Sequence, residues 1–357
     1  MKIEKLKVEN HEVLGNLEID FTDESGKPVD VIAFIGDNGT GKTKVLKAII
    51  DCEVQKLLEN KKIEDKKIVW IPVQLPMIEK ENIVQEAYVK RSSSELHFNN
   101  AKTKLVEDAS KWKIADISEY LTDKMNRAAQ RVLNRGLDKE TYLAEIDSVN
   151  EIFEILDLEI KFFGLSDDEK AVPVFKNKQG VEVDINNLSS GEKQIFFRML
   201  NLKRLKVNDT IILIDEPETS LHPDWQRKII DVYKRIGENN QIIIATHSPL
   251  ILGSVETDGV RKLVRDEEGV IRVERVSQSY GKNVEHLLKL VMDLDDVRNV
   301  DIADKIDKAS DAIKTGNDLR YSELITELTE QLSSTDKNVI RLELEKAVKE
   351  KRDAEHK

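Results

Sequence analysis

"VIAFIGDNGTGKT", residues 31–43, runs five apolar residues into a stretch with three glycines and ends on Lys-Thr. A continuous apolar run of this length predicts a strand buried on both faces. The pattern from Gly36 to Thr43, G-x-x-x-x-G-K-[ST], is a phosphate-binding loop when a strand precedes it and a helix follows. An apolar-periodic helix is expected from Lys42, so both conditions are met. Gly39 and Gly41 allow the backbone amides of Gly36, Asp37, Asn38, Gly39, Thr40 and Gly41 to curl around phosphate oxygens. The helix that opens with Lys42, Thr43 and Lys44 adds a favourable dipole. Lys42 would neutralise the β- and γ-phosphates, and Thr43 would hold Mg²⁺. The plain alternative is a glycine turn without a ligand.

Two later strand ends carry chemistry that suits such a loop. "IILIDEPE" (211–218) delivers Asp215 and Glu216 to the end of an apolar strand, where ligands of an open α/β sheet bind. Asp215 can hold Mg²⁺, and Glu216 is placed to orient or deprotonate an attacking water. "QIIIATH" (241–247) ends on His247, which can hydrogen-bond a γ-phosphate or the attacking water, or serve structure alone. A second small-residue turn, "LSSGEKQ" (188–194), places Ser189, Ser190 and Gly191 before a helix. It reads as an N-cap and as a further cluster of anion-binding amides.

Outward from these motifs, "KIEKLKVEN" and "LGNLEIDF" read as paired strands, and "KIVWIPV" (67–73) as another. Residues from about 80 to 160 are rich in helix formers and include a plausible C-cap at Gly136. After residue 180 the β/α alternation resumes, with a helix from about 223. "VRKLVRDEEGVIRVERV" (260–276) reads as a hairpin turning at "DEEG". From about 283 onward the pattern is helical, with Leu324, Ile325, Leu328 and Leu332 on one stripe. The expected organisation is 1–80 as the first part of the α/β head, 81–165 as a helical insertion, 166–282 as the second part of the head, and 283–357 as a helical subdomain.

Composition bounds the function. The chain has 357 residues, 39% of them hydrophobic and 35% charged, with a net charge of −12. That balance argues against a uniformly basic nucleic-acid binder, although a local basic groove remains compatible with it. The lysine-rich run at 57–67 reads as a solvated helix end and loop. No stretch approaches the roughly 20 apolar residues of a membrane span. The single cysteine, Cys52, excludes an internal disulfide and points to a reducing compartment, the cytoplasm.

The order of motifs resembles that of ABC-type ATPases: phosphate loop, helical insertion, serine-glycine turn, acidic strand, histidine strand. "LSSGE" stands where that family has its LSGGQ signature. The resemblance implies an ABC-ATPase head, with ATP and Mg²⁺ as cofactors. It also implies that Ser189, Ser190, Gly191 and Glu192 reach the nucleotide of an opposite subunit, giving a homodimer or a higher even oligomer. The opening "MKIEKLKVENHEVLGNLEIDF" is similar to the RecF/SMC-like branch, although Asn10-His11-Glu12 lacks the arginine usual in its first turn. "DEPETSLHPDWQ" (215–226) resembles the AAA_21 group, with His222 where transporters commonly carry aspartate. "SYGKNVEHLLKLVMDL" resembles the PtuA-like ATPases of Septu and retron-linked defence operons, which pair with an HNH-type nuclease. An anti-phage regulator of such a nuclease is therefore expected; the alternative is a DNA-binding clamp of the repair type. A transporter motor would need a membrane partner. Family likeness further suggests Gln74 as a Mg²⁺ ligand. Unlike the related OLD nucleases, the chain shows no TOPRIM pattern, and Asp293, Asp295 and Asp296 read as solvated charges.

Overall fold

The computed structural model describes residues 2–59, 68–73, 105–135, 139–166, 173–183, 188–276, 279–292, 294 and 298–355. Its strands are β1 (Lys5–His11), β2 (Gly15–Asp20), β3 (Val31–Ile35), β4 (Ile68–Ile71), β5 (Val106–Asp108), β6 (Ile160–Leu165), β7 (Pro173–Asn177), β8 (Glu182–Val183), β9 (Ile211–Asp215), β10 (Gln241–Ala245), β11 (Val260–Arg265) and β12 (Ile271–Arg275). The helices are α1 (Lys42–Glu59), α2 (Ile114–Arg135), α3 (Lys139–Glu154), α4 (Ser190–Leu205), α5 (Pro223–Gln226), α6 (Ile229–Lys234), α7 (Pro249–Leu252), α8 (Val284–Leu290), α9 (Val300–Thr315), α10 (Asp318–Leu332) and α11 (Lys337–Glu355). The chain divides into two units, Met1–Leu287 and Leu288–Lys357.

In the first unit, seven strands form one sheet in the order β12-β11-β3-β10-β9-β4-β5. All pairings are parallel except that of β12 with β11. This is the α/β head that the motif order implied. β3, β9 and β10 are buried along their whole length, because both faces of the sheet are covered. Ile32, Phe34, Ile211, Leu213, Ile243 and Ala245 join a core shared with β1, β2 and α1. The alternate residues Ala33, Ile35, Ile212, Ile214, Ile242 and Ile244 are buried on the other face. Burying each of the larger aliphatic side chains is worth about 2 kcal/mol, so the sheet is a stiff platform.

Register does the rest. Ala245 of β10 pairs with Phe34 of β3 on one side and with Asp215 of β9 on the other. The C-terminal ends of these three strands are therefore level. The glycine loop, Glu216 and His247 emerge side by side.

Several elements differ from the sequence-based expectation. The stretch read as helical contains β5, which adds a three-residue edge strand beside β4. It is too short to show alternation. β6, β7 and β8 form a separate antiparallel sheet. Ile160, Phe162 and Gly164 of β6 point inward, but this alternation directly follows a run of helix formers. The helix expected from 223 is two short helices, α5 and α6. The "DEEG" turn forms as read, with Asp266 and Val270 bonded across it. Gln74, Gly136, Asp293, Asp295, Asp296 and residues 60–67 of the lysine-rich run lie outside the described residues.

The second unit builds its own core from α9, α10 and α11. Ile306, Ala309, Ile313, Leu324, Leu328, Val339 and Leu342 are buried in it, with Ile325 and Leu332 packed against them. The leucine stripe of α10 faces that core, as its spacing required.

Candidate functional site

The glycine loop is fixed by close backbone approaches. Gly36 has φ +145°, and a Cβ there would lie 2.4 Å from the Leu263 carbonyl oxygen of β11. Only glycine lets the loop leave β3 in this direction. On its other side, the β1–β2 turn presses Leu14 against Gly41. That turn is capped by His11, whose Nδ1 accepts the N–H groups of Val13 and Leu14 at 3.0 and 3.2 Å. His11, the middle residue of the Asn10-His11-Glu12 turn that lacks an arginine, is thus occupied in shaping the turn.

Asp37, Asn38, Gly39 and Lys44 are exposed around the loop, whereas Thr40 and Lys42 are buried. Lys42 Nζ folds back onto the loop and donates to the carbonyls of Gly36 (2.8 Å) and Asp37 (3.0 Å). Burial pulls its ammonium below the ordinary lysine value, opposed by the carboxylates of Glu216, Asp37, Asp215 and Glu218. The Thr43 hydroxyl donates to Asp215 Oδ2 at 2.8 Å, joining the start of α1 to the end of β9. Burial pushes the Asp215 carboxyl above its usual range. The Thr43 bond works against that rise and neighbouring Glu216 adds to it.

Glu216 takes a left-handed conformation, φ +44°, a geometry that costs a non-glycine residue about 1 kcal/mol. Its N–H is anchored on the Ala245 carbonyl at 2.8 Å. The turn directs its carboxylate toward His247, whose Nε2 lies 3.9 Å from Glu216 Oε1, both side chains being about one-third exposed (34% and 38%). The structure therefore brings Lys42, Thr43, Asp215, Glu216 and His247 into one cluster at the level strand ends.

The serine-glycine turn is built differently. Ser189 caps α4 in a reciprocal capping box with Glu192: its hydroxyl accepts the Glu192 N–H, and the Glu192 carboxylate accepts the Ser189 N–H at 2.9 Å. Ser189 and Ser190 are exposed. Gly191 is buried, and a Cβ there would meet the Ser220 carbonyl at 2.6 Å and Trp225 at 3.0 Å. Further along α4, the fully buried Arg198 donates from Nη1 to the Pro217 carbonyl at 3.0 Å. The turn and its helix thus bear directly on the loop that follows β9. His222, in that loop, caps α5 by accepting the Asp224 N–H at 3.3 Å.

Arg198 and Glu218 belong to this arrangement, and sequence reading passed over both. Glu218 is the third acid of the quoted "IILIDEPE", half-buried in the structure with its Oε2 atom buried. Its place beside Asp215 and Glu216 was the one signal the sequence offered.

Comparison with known proteins places this geometry. The AAA_21 family model, an AAA domain described together with AbiEii toxin and type IV toxin–antitoxin systems, matches residues 70–253. The chain belongs to the AAA_21 family. A second model, AAA_15, an AAA ATPase domain, matches residues 1–135. This AAA_21 chain is accordingly a P-loop NTPase, and nucleotide binding is the property its family implies. It is 26% identical to the Septu protein PtuA of Bacillus thuringiensis over 346 residues, covering 83% of this chain and 85% of that protein. It is 31% identical over 125 residues to the "Retron Vc95 probable ATPase" of Vibrio cholerae, 32% of this chain but 24% of that one. Among solved structures, the SmcHead bound to the C-winged helix domain of ScpA aligns with a TM-score of 0.43 at 16% identity, covering 78% of this chain and 98% of that chain. Among the described residues, no helix is long and apolar enough to cross a membrane.

Proposed function

We propose that this AAA_21 protein binds and hydrolyses ATP, closes as a dimer around it, and through that cycle regulates a partner effector in anti-phage defence. The observation that carries the reading is the cluster at the level ends of β3, β9 and β10. There the Thr43–Asp215 bond and the facing Glu216–His247 pair stand beside a phosphate loop.

Each residue has work suited to its geometry. The loop amides and Lys42 bind the phosphates, with Lys42 exchanging its two backbone carbonyls for phosphate oxygens. Thr43 and Asp215 are hard oxygen donors already 2.8 Å apart. They would hold Mg²⁺, which neutralises phosphate charge when bound. Gln74 is assigned as a further ligand on family likeness alone. Glu216 positions or deprotonates the attacking water, and His247 hydrogen-bonds the water or the γ-phosphate.

The Ser189–Glu192 turn, exposed at Ser189 and Ser190, would meet the nucleotide of a second copy, which gives the dimer its purpose. Similarity to Septu PtuA across most of both chains supports a defence role, and an HNH-type nuclease is the proposed partner.

Lys42→Ala should lower ATP affinity by at least about tenfold, measured by calorimetry, and abolish Mg²⁺-dependent phosphate release. Unchanged affinity would remove the phosphate-loop assignment. For the partner, the full-length protein should co-purify with the product of a neighbouring HNH reading frame. Duplex binding that needs ATP and weakens steeply with salt, with no protein partner, would replace nuclease control with the DNA-clamp reading.

A further inference from the structure

The loop after β9 carries a carboxylate that this scheme leaves unused. Glu218 Oε1 accepts two hydrogen bonds, from the Thr246 hydroxyl at 2.8 Å and from the His247 N–H at 2.7 Å. Thr246 is fully buried, and its hydroxyl also accepts the Ser248 N–H at 2.9 Å. The Ser248 hydroxyl donates to Gln226 Oε1 at 2.7 Å, and Gln226 Nε2 donates to the Leu221 carbonyl at 3.0 Å. The segment carrying His247 is thereby fastened on both sides to the loop carrying Glu216. The second Glu218 oxygen, Oε2, is buried without a hydrogen-bond partner among the described residues. Burying a carboxylate oxygen unpaired is costly, so the bonds made by Oε1 have to justify its place.

We propose that Glu218 is a positioning residue for hydrolysis: by accepting the Thr246 hydroxyl and the His247 N–H, it sets the His247 imidazole against Glu216. The inference rests on the reading of Glu216 and His247 as the pair that handles the attacking water. The two side chains stand 3.9 Å apart, and each is held from its own backbone. Glu216 is held through its bond to Ala245, and His247 through its bond to Glu218. Releasing one anchor lets the pair drift, and a shift of about 1 Å near reacting groups can cost on the order of a hundredfold in rate. Neither bond of Glu218 touches the phosphate loop, so nucleotide affinity should be spared. Glu218 also carries charge near Lys42, and an amide replacement separates that influence from hydrogen-bond acceptance.

The test is steady-state ATP hydrolysis by the full chain as wild type, E216Q, E218A and E218Q. E218A should lose at least about tenfold in kcat while KM stays within about threefold. E218Q keeps an acceptor oxygen and should recover to within about threefold of wild type. Wild-type turnover in E218A overturns the proposal. So does an E218Q that folds but is as slow as E218A, because charge rather than acceptance would then be what matters. If E218A does not fold, E218Q decides alone, and a kcat more than about tenfold down overturns the proposal. An active wild type with a slow E216Q and an unimpaired E218A would sink this inference while leaving the proposed function intact. A wild type without ATPase activity would sink both.

Discussion

At Asp215 two requirements conflict. The residue is buried at the end of a wholly apolar strand and sits next to Glu216, so its charged form is held at a cost to the nucleotide-free fold. A carboxyl raised in the folded state contributes stability that is fully present below its unfolded value, near 3.9. That contribution is lost as pH rises through the raised folded value. Asp215→Asn removes the titration and keeps an oxygen for Thr43. Nucleotide-free D215N should therefore melt above wild type at pH 7, with the gap closing as pH is lowered into the ordinary carboxylate range. A D215N that melts below wild type at pH 7 would contradict the electrostatic account. The grouping of Lys42, Thr43, Asp215 and Glu216 was legible in the sequence because each stands in a short local pattern that follows an apolar strand. Glu218 and Arg198 were not, since their partners, residues 246–247 and Pro217, are brought to them by tertiary folding. The first turn shows the opposite limit: the absence of an arginine from Asn10-His11-Glu12 was visible, but the work of His11 as a turn cap was not.

Among the elements, α4 shows how the serine-glycine turn is held. Its capping box, Ser189 with Glu192, was readable as S-x-x-E before an apolar run. Its close packing was hidden. Phe196 meets Phe153 and Phe175 at ring separations of 4.3 and 5.0 Å, and Phe197 meets Trp112 at 6.1 Å. The helix-rich segment and the β6–β8 sheet thus lean on the same helix, while Gly191 and Arg198 tie it to the loop after β9. Gly191→Ala would drive a methyl group into the Ser220 carbonyl, at a cost of about 1–3 kcal/mol. It should lower Tm and weaken ATP-dependent self-association, with ATP affinity of the single chain within about threefold of wild type. Unaltered Tm and association would show that the turn is not clamped there. Long or strongly periodic elements were legible: β3, β9, β10, the β11–β12 hairpin and α10. β5 and β8 were missed because two or three residues carry no period, and six-residue β6 because its alternation directly follows a run of helix formers.

For the molecule as a whole, the described residues assigned to nucleotide chemistry all lie in the Met1–Leu287 unit. The Leu288–Lys357 unit has a helical core of its own. Under the proposed function, the exposed Ser189 and Ser190 act on the nucleotide of a second copy, so their role belongs to the assembly. The direct measurement is sedimentation velocity of full-length Glu216→Gln with Mg²⁺ and ATP against the same protein with ADP. Slowing hydrolysis by about a hundredfold or more should trap the closed state. Retained ATP and a shift to a dimer or higher even assembly, which ADP does not produce, are expected. ATP bound one per chain, with the sedimenting mass remaining that of a single chain at every concentration, would contradict closure as a dimer around ATP.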